Sequence, residues 1–465
     1  MSASSHLSEL EQLLGAGVST DADDLRAHAS DWSPRSLLKE RAADAGAPPL
    51  CVVRPSNTEE VAALLRWAHD RRVPVVPFGA GSDVVEGIAP EGAVVVDMRS
   101  MNAIGAVDTK SRLVTVEAGV MGPDLAEALD AEGFTLGHEP QSFAISTVGG
   151  WVATKACGQL SSAYGGIEDL IAGLTAVLPG GKVVSSKVVP RRSAGPDVAG
   201  LLIGSEGTLG IVTSVTLRVS PRPTERVDRC LRFDHMSEGV AAARTIAQAD
   251  LDPTVLRLYD AEDAMLFLRH HPDEPQGPLM ILSFHGADAD ARAQRATDMS
   301  EGRPGNDALV EHWWQHRNAA VAEFRRIMDG QGLLGPHGIV DTIEVAGTWS
   351  VLRDLYHSVK DGLSEHADLV GCHLSHVYPD GACLYFTCGA VTDSDEEAAR
   401  RLDAWWATAM QRCLDRGGSI SHHHGIGRTK AKWLPDELGG WWEVLKTVKS
   451  AIDPHRIMNP GALGL

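Results

Sequence analysis

From residue 51 onward the chain alternates short apolar runs with turn residues. Cys51-Val52-Val53 predicts a short strand. Asn57 follows as a helix cap, with Glu60 three positions later at capping-box spacing. Val61, Leu64, Leu65 and Ala68 then recur at helical spacing, which predicts a helix with one buried face. Val73-Pro74-Val75-Val76 reads as a strand that runs straight into Gly79-Ala80-Gly81. Residues 94–96 and 113–116 predict further strands, and Pro123 and Gly133 bracket a helix. Residues 174–184 predict a hairpin turning at Pro179-Gly180-Gly181. The β-branched run 209–219 predicts a strand that stops at Pro221.

The texture changes after Pro223. Residues 229–233, 255–259, 279–284 and 382–387 predict strands, and 311–328 and 396–416 predict helices between or after them. A chain of 465 residues accommodates two or three structural units. The expected division is a helical N-terminal extension (1–46), a first domain (47–223), a second α+β domain with an antiparallel sheet (224–416), and a tail (417–465) that packs back on the first domain.

Composition narrows the function classes. Lys and Arg number 42 against 62 Asp and Glu, a formal charge of −20. That balance argues against nucleic acid or an anionic membrane as the main partner. An anionic substrate needs a locally basic pocket. No apolar run reaches the ~18 residues of a membrane helix. Residues 1–14 lack a signal-peptide pattern. The seven cysteines contain no CxxC pair, so neither a disulfide framework nor a zinc site is expected. A reducing, cytoplasmic location follows as the expectation, with no metal.

Three glycine-rich segments stand out: Pro77-Phe78-Gly79-Ala80-Gly81-Ser82-Asp83-Val84, Ser146-Thr147-Val148-Gly149-Gly150, and Gly204-Ser205-Glu206-Gly207-Thr208-Leu209-Gly210. Glycines let successive N–H groups face one side, a nest for phosphate oxygens. Tight turns alone explain any one such segment, and neither of the first two matches GxGxxG. Their order along the strands is the stronger signal.

These segments, with PQSFAISTVGGWVATKACG, YGGIEDL, GSEGTLGIVT and the tail DPHRIMNPG, resemble the vanillyl-alcohol oxidase/PCMH flavoprotein superfamily. The resemblance implies an α+β protein: a two-part PCMH-type FAD-binding domain plus an α+β cap. It implies that Pro77–Asp83 wraps the FAD pyrophosphate. Pro140, Gln141, Ser142, Ser146, Ala153, Thr154, Lys155 and Ala156 are then expected along the isoalloxazine and ribityl chain, and Thr147, Gly149 and Gly150 are expected to bind the cofactor as well. Glu206, Gly207, Thr208, Leu209, Gly210, Ile211 and Val212 are expected at the adenosine half. Asp83 stands where the family has a small neutral residue, so it either points away or weakens FAD. The first loop holds no histidine, and the FAD is expected to be non-covalent. Cys157 reads as a buried structural thiol.

Two stretches separate branches of the superfamily. Lactate- and glycolate-type dehydrogenases carry HVGDGNLH and SGEHGIG; here Ser375-His376-Val377-Tyr378-Pro379-Asp380-Gly381-Ala382-Cys383-Leu384-Tyr385-Phe386 and Ser421-His422-His423-His424-Gly425-Ile426-Gly427 replace them. Both are similar to the alkyldihydroxyacetonephosphate synthases. That resemblance implies exchange of the acyl group of an acyl-dihydroxyacetone phosphate for a fatty alcohol through a flavin N5 adduct, with no net oxidation. The partner is then a lipid-like phosphate, with peripheral membrane contact and a homodimer as the expected assembly.

Residue roles follow from the same resemblance. His422, His423 and His424 suit proton handling near neutral pH. Tyr385 falls at the family's catalytic tyrosine, with Tyr378 the nearby alternative. Arg257 matches the family's RLxD arginine, and Arg325 sits near its substrate-binding arginine, in a register open by one residue. Arginine suits phosphate because its fork meets two oxygens. Bland readings stand beside these: a solvated or metal-binding histidine run, a core tyrosine, and surface ion pairs, which is the preferred reading for Arg326. Lys155 replaces an arginine of the family pattern. The alternative functions are an FAD-dependent oxidase or dehydrogenase of a 2-hydroxy acid or other small alcohol, and a flavin-binding fold without catalysis.

Overall fold

The computed structural model describes residues 3–44, 46–268, 271 and 277–465. The first half holds two four-stranded sheets. In one, Cys51–Val53, Val94–Asp97 and Val75–Phe78 run parallel, and Val18–Ser19 adds an antiparallel edge. That edge lies in the stretch expected to be only helical. The parallel strands bury every residue except Pro77 and read as continuous apolar runs, as strands covered on both faces do. The second sheet, Leu113–Glu117, Ile211–Arg218, Ile171–Leu178 and Lys182–Ser185, is antiparallel. Gly180 and Gly181, both at φ near +80°, turn its hairpin.

Local signals are realised with small shifts. Asn57 caps the helix Thr58–Arg71 by accepting from Glu60 N at 2.9 Å. Glu60 answers one residue earlier than a standard capping box, accepting from Ser56 N at 2.7 Å. Residues 311–328 form two helices, Ala308–His316 and Ala320–Met328, rather than one.

The cap is a seven-stranded sheet, antiparallel throughout, in the order Arg303–Pro304, Arg226–Arg232, Leu279–His285, Val255–Tyr259, Leu369–Ser375, Gly381–Ala390, Ile339–Thr348. Helices Met236–Ala247, Ala289–Met299, Trp349–Ser364 and Asp395–Asp415 contribute buried faces to its largest apolar core. The residues after 417 thread back to the first half. Met458 bridges Val75, and Lys449 donates to Thr208 O at 2.7 Å. Asn459 Nδ2 donates to Gly87 O and Glu206 O at 3.0 and 2.7 Å. All seven cysteines are buried thiols. Among the described residues no helix is long and apolar enough to cross a membrane.

Candidate active site

A cavity of about 700 Å³ lies between the glycine segments and the cap sheet. Residues 77–83, 140–142, 146, 147, 149, 150, 153, 154, 156, 206, 207 and 210–212 all line it. Lys155, Thr208 and Leu209 do not. Lys155 ends the helix Val148–Thr154 in a left-handed conformation and points to Glu168, 3.8 Å away. Thr208 and Leu209 are buried beneath the loop.

The walls suit a flat, phosphate-bearing cofactor. Among the described residues nothing accepts from the N–H groups of Ala80, Gly81 or Ser82, so the loop presents free donors to the cavity. Gly207, at φ +73°, holds its turn where a Cβ would sit 2.8 Å from Pro77 Cγ. Asp83 is turned into its own loop, where its carboxylate accepts from Val85 N and Gly87 N at 2.8 and 3.0 Å. Burial, followed by the nearby Glu206 charge, pushes it up to about 6. The Glu206 carboxylate is likewise spoken for: Ile426 N and Gly427 N donate to it at 2.6 and 2.8 Å, so it ties the tail to the third glycine segment. Burial raises Glu206 to about 7 against those two bonds.

Across the cavity the cap and the tail together supply polar chemistry. Arg257, His376, Tyr385, His423 and His424 line the wall, while His422 sits directly behind it. The ring of His376 lies 4.9 Å from that of His422 and 4.6 Å from that of His423. Tyr385 stacks 6.1 Å from His423. Tyr378 Oη meets His422 Nε2 at 3.2 Å, and His422 Nδ1 meets His423 Nδ1 at 3.1 Å. One nitrogen of that last pair carries a proton and the other accepts it. Burial lowers all four histidines, with His424 at about 4, and the rings are therefore neutral at pH 7. Burial raises the Tyr385 phenol, which stays a donor.

The histidine run has a buried anchor. Glu344, in the strand Ile339–Thr348, accepts from His422 N at 2.5 Å, His424 N at 3.1 Å and Ser421 Oγ at 2.9 Å. Lys430 Nζ completes the set at 2.9 Å, and neither member of this pair is exposed.

The arginine register resolves against Arg325. Its guanidinium turns away from the cavity to Glu40 and Asp329, both at 3.0 Å. Arg326, read from the sequence as a surface residue, reaches the cavity lining, although it is 62% exposed and pairs with Glu323 at 3.2 Å. One residue is ~100° on a helix, which is why a one-residue shift reverses the direction. Sequence reasoning also left out His376, Glu344 and Lys430. His376 lies inside the quoted SHVY stretch and was within reach. Glu344 and Lys430 carry no local signal, since their role exists only once the tail folds against the cap.

The lining also carries an apolar lobe, Leu266, Phe267, Val321, Phe324, Ile327 and Leu334, interspersed with His312, His316, Glu323 and Arg326.

A family model for an FAD binding domain matches residues 49–187, and one for the C-terminal domain of FAD linked oxidases matches 222–463. An uncharacterized FAD-linked oxidoreductase of Escherichia coli K12, YgcU, is 32% identical over 435 residues, covering 89% of each chain. The alkyldihydroxyacetonephosphate synthase of Dictyostelium discoideum is 29% identical over 481 residues, 94% of this chain and 76% of that one. A solved alkyldihydroxyacetonephosphate synthase structure superposes with a TM-score of 0.79 at 27% identity, covering 99% of this chain and 85% of the other.

Proposed function

The chain belongs to the FAD-linked oxidase family with a PCMH-type FAD-binding fold and uses FAD as its cofactor, and from that premise we propose that it exchanges the acyl group of an acyl-dihydroxyacetone phosphate for a fatty alcohol. The observation that carries this reading is the joining, in one cavity, of a guanidinium, a set of neutral histidines and an apolar lobe. A phosphate ester bearing a long chain needs all three.

FAD would be held non-covalently by the cavity-lining residues of the three glycine segments, 77–83, 140–142, 146, 147, 149, 150, 153, 154, 156, 206, 207 and 210–212, and would supply an electrophilic ring system that also accepts and returns electrons. The protein's own groups do the rest. Arg257 meets the phosphate with paired N–H donors. A neutral imidazole of His423 or His424 takes the carbon-bound proton next to the ketone, because only a neutral ring has a lone pair to offer. His422 and Tyr378 relay that proton onward through the 3.1 and 3.2 Å contacts. The Tyr385 O–H donates to the departing carboxylate as its charge develops. The apolar lobe excludes water, so the alcohol rather than hydroxide adds; its O–H proton leaves with the carboxylate as the free fatty acid, and the histidine relay returns its proton to the carbon, so the exchange is redox-neutral.

A second reading has its own support. Arg257 beside neutral histidines equally suits a 2-hydroxy acid, with the guanidinium on the carboxylate and an imidazole taking the hydroxyl proton. A single experiment separates the two: incubation with palmitoyl-dihydroxyacetone phosphate and labelled hexadecanol, followed by lipid extraction. Label in a base-stable ether lipid, with one palmitate released per ether formed, supports the exchange. Absence of the ether, with oxidation of a 2-hydroxy acid instead, favours the second reading.

A further inference from the structure

Arg257 is braced from behind by two buried residues of the cap. Its Nη2 lies against His373 Nε2, while its Nε is buried with no partner among the described residues. The other ring nitrogen of His373, Nδ1, meets Asp263 Oδ2 at 2.7 Å. Neither side chain reaches solvent: His373 is 2% exposed and Asp263 0%. The imidazole stacks on Tyr385, 4.8 Å between centroids at 21°, and is bounded by Tyr259 at 5.3 Å and Phe267 at 6.0 Å. The Arg257 guanidinium is in turn held near the rings of Trp313 and Tyr259, at 5.6 and 5.7 Å.

Donor and acceptor rules fix how such a chain works. A guanidinium only donates, so it requires an acceptor at His373 Nε2. A neutral imidazole offers one acceptor nitrogen, and which one is set by the bond its other nitrogen makes. The Arg257 donor at Nε2 therefore places the His373 hydrogen on Nδ1, where Asp263 Oδ2 accepts it; burial raises the Asp263 carboxyl to about 7, and the Arg257 charge opposes that rise. Burial and the Arg257 charge together keep the ring from taking a second proton.

We propose that Asp263 and His373 are positioning residues: through the His373 tautomer they fix the Arg257 guanidinium so that its remaining Nη N–H groups meet the anionic head, of the phosphate monoester class, of the substrate in the cavity. The phosphate assignment rests on the function proposed above; the tautomer does not. His373 lies on the strand Leu369–Ser375 and Asp263 on the helix Ala261–Leu268, so three elements converge on one cation.

The test uses FAD-loaded enzyme and palmitoyl-dihydroxyacetone phosphate. His373→Phe removes the acceptor and keeps a ring for packing; KM for the ester is expected to rise about 10- to 100-fold, the scale of one hydrogen bond to a charged group. Its kcat is expected to stay within about threefold, since ground-state and transition-state binding suffer alike. His373→Gln places an amide oxygen near the Nε2 position and should recover most of the affinity. Combined with Arg257→Ala, His373→Phe should add nothing to the loss from Arg257→Ala alone, because it acts through that side chain. An unchanged KM in His373→Phe, or additive losses in the double variant, overturns the proposal. If wild-type enzyme does not turn the ester over, the proposed function fails, and the bracing is read from the ring itself. In 15N-histidine-labelled holoenzyme the resonances missing from His373→Gln identify His373. A hydrogen on Nδ1 in the wild type upholds the bracing; one on Nε2 refutes it.

Discussion

Glu344→Gln is the substitution with the largest expected effect away from the cavity surface. Burial pushes the Glu344 carboxyl up, but the Lys430 charge, His424 and the His422 N–H outweigh it and hold the group at about 2, against an ordinary 4.5. At ~1.36 kcal/mol per unit, that difference is worth about 3 kcal/mol of folding stability. The contribution is fully present above pH 4.5 and is lost as the pH falls toward 2. An independent route gives a similar size: removing one member of a buried ion pair leaves an uncompensated charge, here Lys430, at a cost of about 3–5 kcal/mol. Glutamine keeps the shape and one acceptor, so it isolates the charge. The assay is urea unfolding of FAD-loaded enzyme at pH 7, for the wild type, Glu344→Gln, Lys430→Met and the double variant. Each single variant should lose about 3 kcal/mol, and the double should lose much less than their sum. Losses that add to within about 0.5 kcal/mol would show that the two groups are not coupled. The reasoning would also fail if Glu344→Gln kept both wild-type stability and wild-type turnover, because the peptides of His422 and His424 hang on that carboxylate.

Further outcomes follow from the same geometry. Acid precipitation should release the yellow FAD into the supernatant; colour left in the pellet would contradict non-covalent binding. Replacing His422, His423 and His424 together with alanine should preserve the flavin spectrum, since the run lies opposite the glycine segments, while turnover falls by a factor of ~100 or more. Loss of FAD in that variant would assign the run a structural role. Asp83 and Glu206, at about 6 and 7 in the folded protein, hold their protons more tightly than in the unfolded chain. The cost of burying their charges is present above pH 7 and is relieved as the pH falls through 7 and 6. Thermal stability contributed by this pair should therefore rise on acidification from pH 8 to 5.5, and Asp83→Asn with Glu206→Gln should flatten that dependence. A wild-type profile that falls over this range, unchanged in the double variant, would rule the effect out.

The glycine segments were legible because a backbone that must turn with φ > 0 or face a phosphate tolerates few other residues, and that constraint is local. Gly81 and Gly207 show it, at φ +75° and +73°. The strands 339–348 and 369–375 were not foreseen. The first carries Asp341 and Glu344 among its apolar residues, and these break the expected alternation. Their partners are remote: Asp341 accepts from Trp406 Nε1 at 2.8 Å and Glu344 from the tail. The histidine run announced itself, but its setting did not. Ser161, which bonds His376 Nδ1 at 2.7 Å, lies 215 residues before it. Arg325 turns to Glu40 and Asp329 rather than to the cavity for a rotational reason: spacing names the helix, whereas the face depends on how that helix packs.

The central claim, group exchange without net oxidation, is tested most directly by the flavin's own absorbance in the absence of oxygen. A dehydrogenase must hold its electrons after one turnover, whereas an exchange reaction leaves the cofactor oxidised. Anaerobic mixing with palmitoyl-dihydroxyacetone phosphate should perturb the ~450 nm band, and added hexadecanol should restore it with release of palmitate. D-lactate or glycolate should leave the band intact. Prompt, lasting bleaching by either 2-hydroxy acid, with no response to the phosphate ester, would contradict the account.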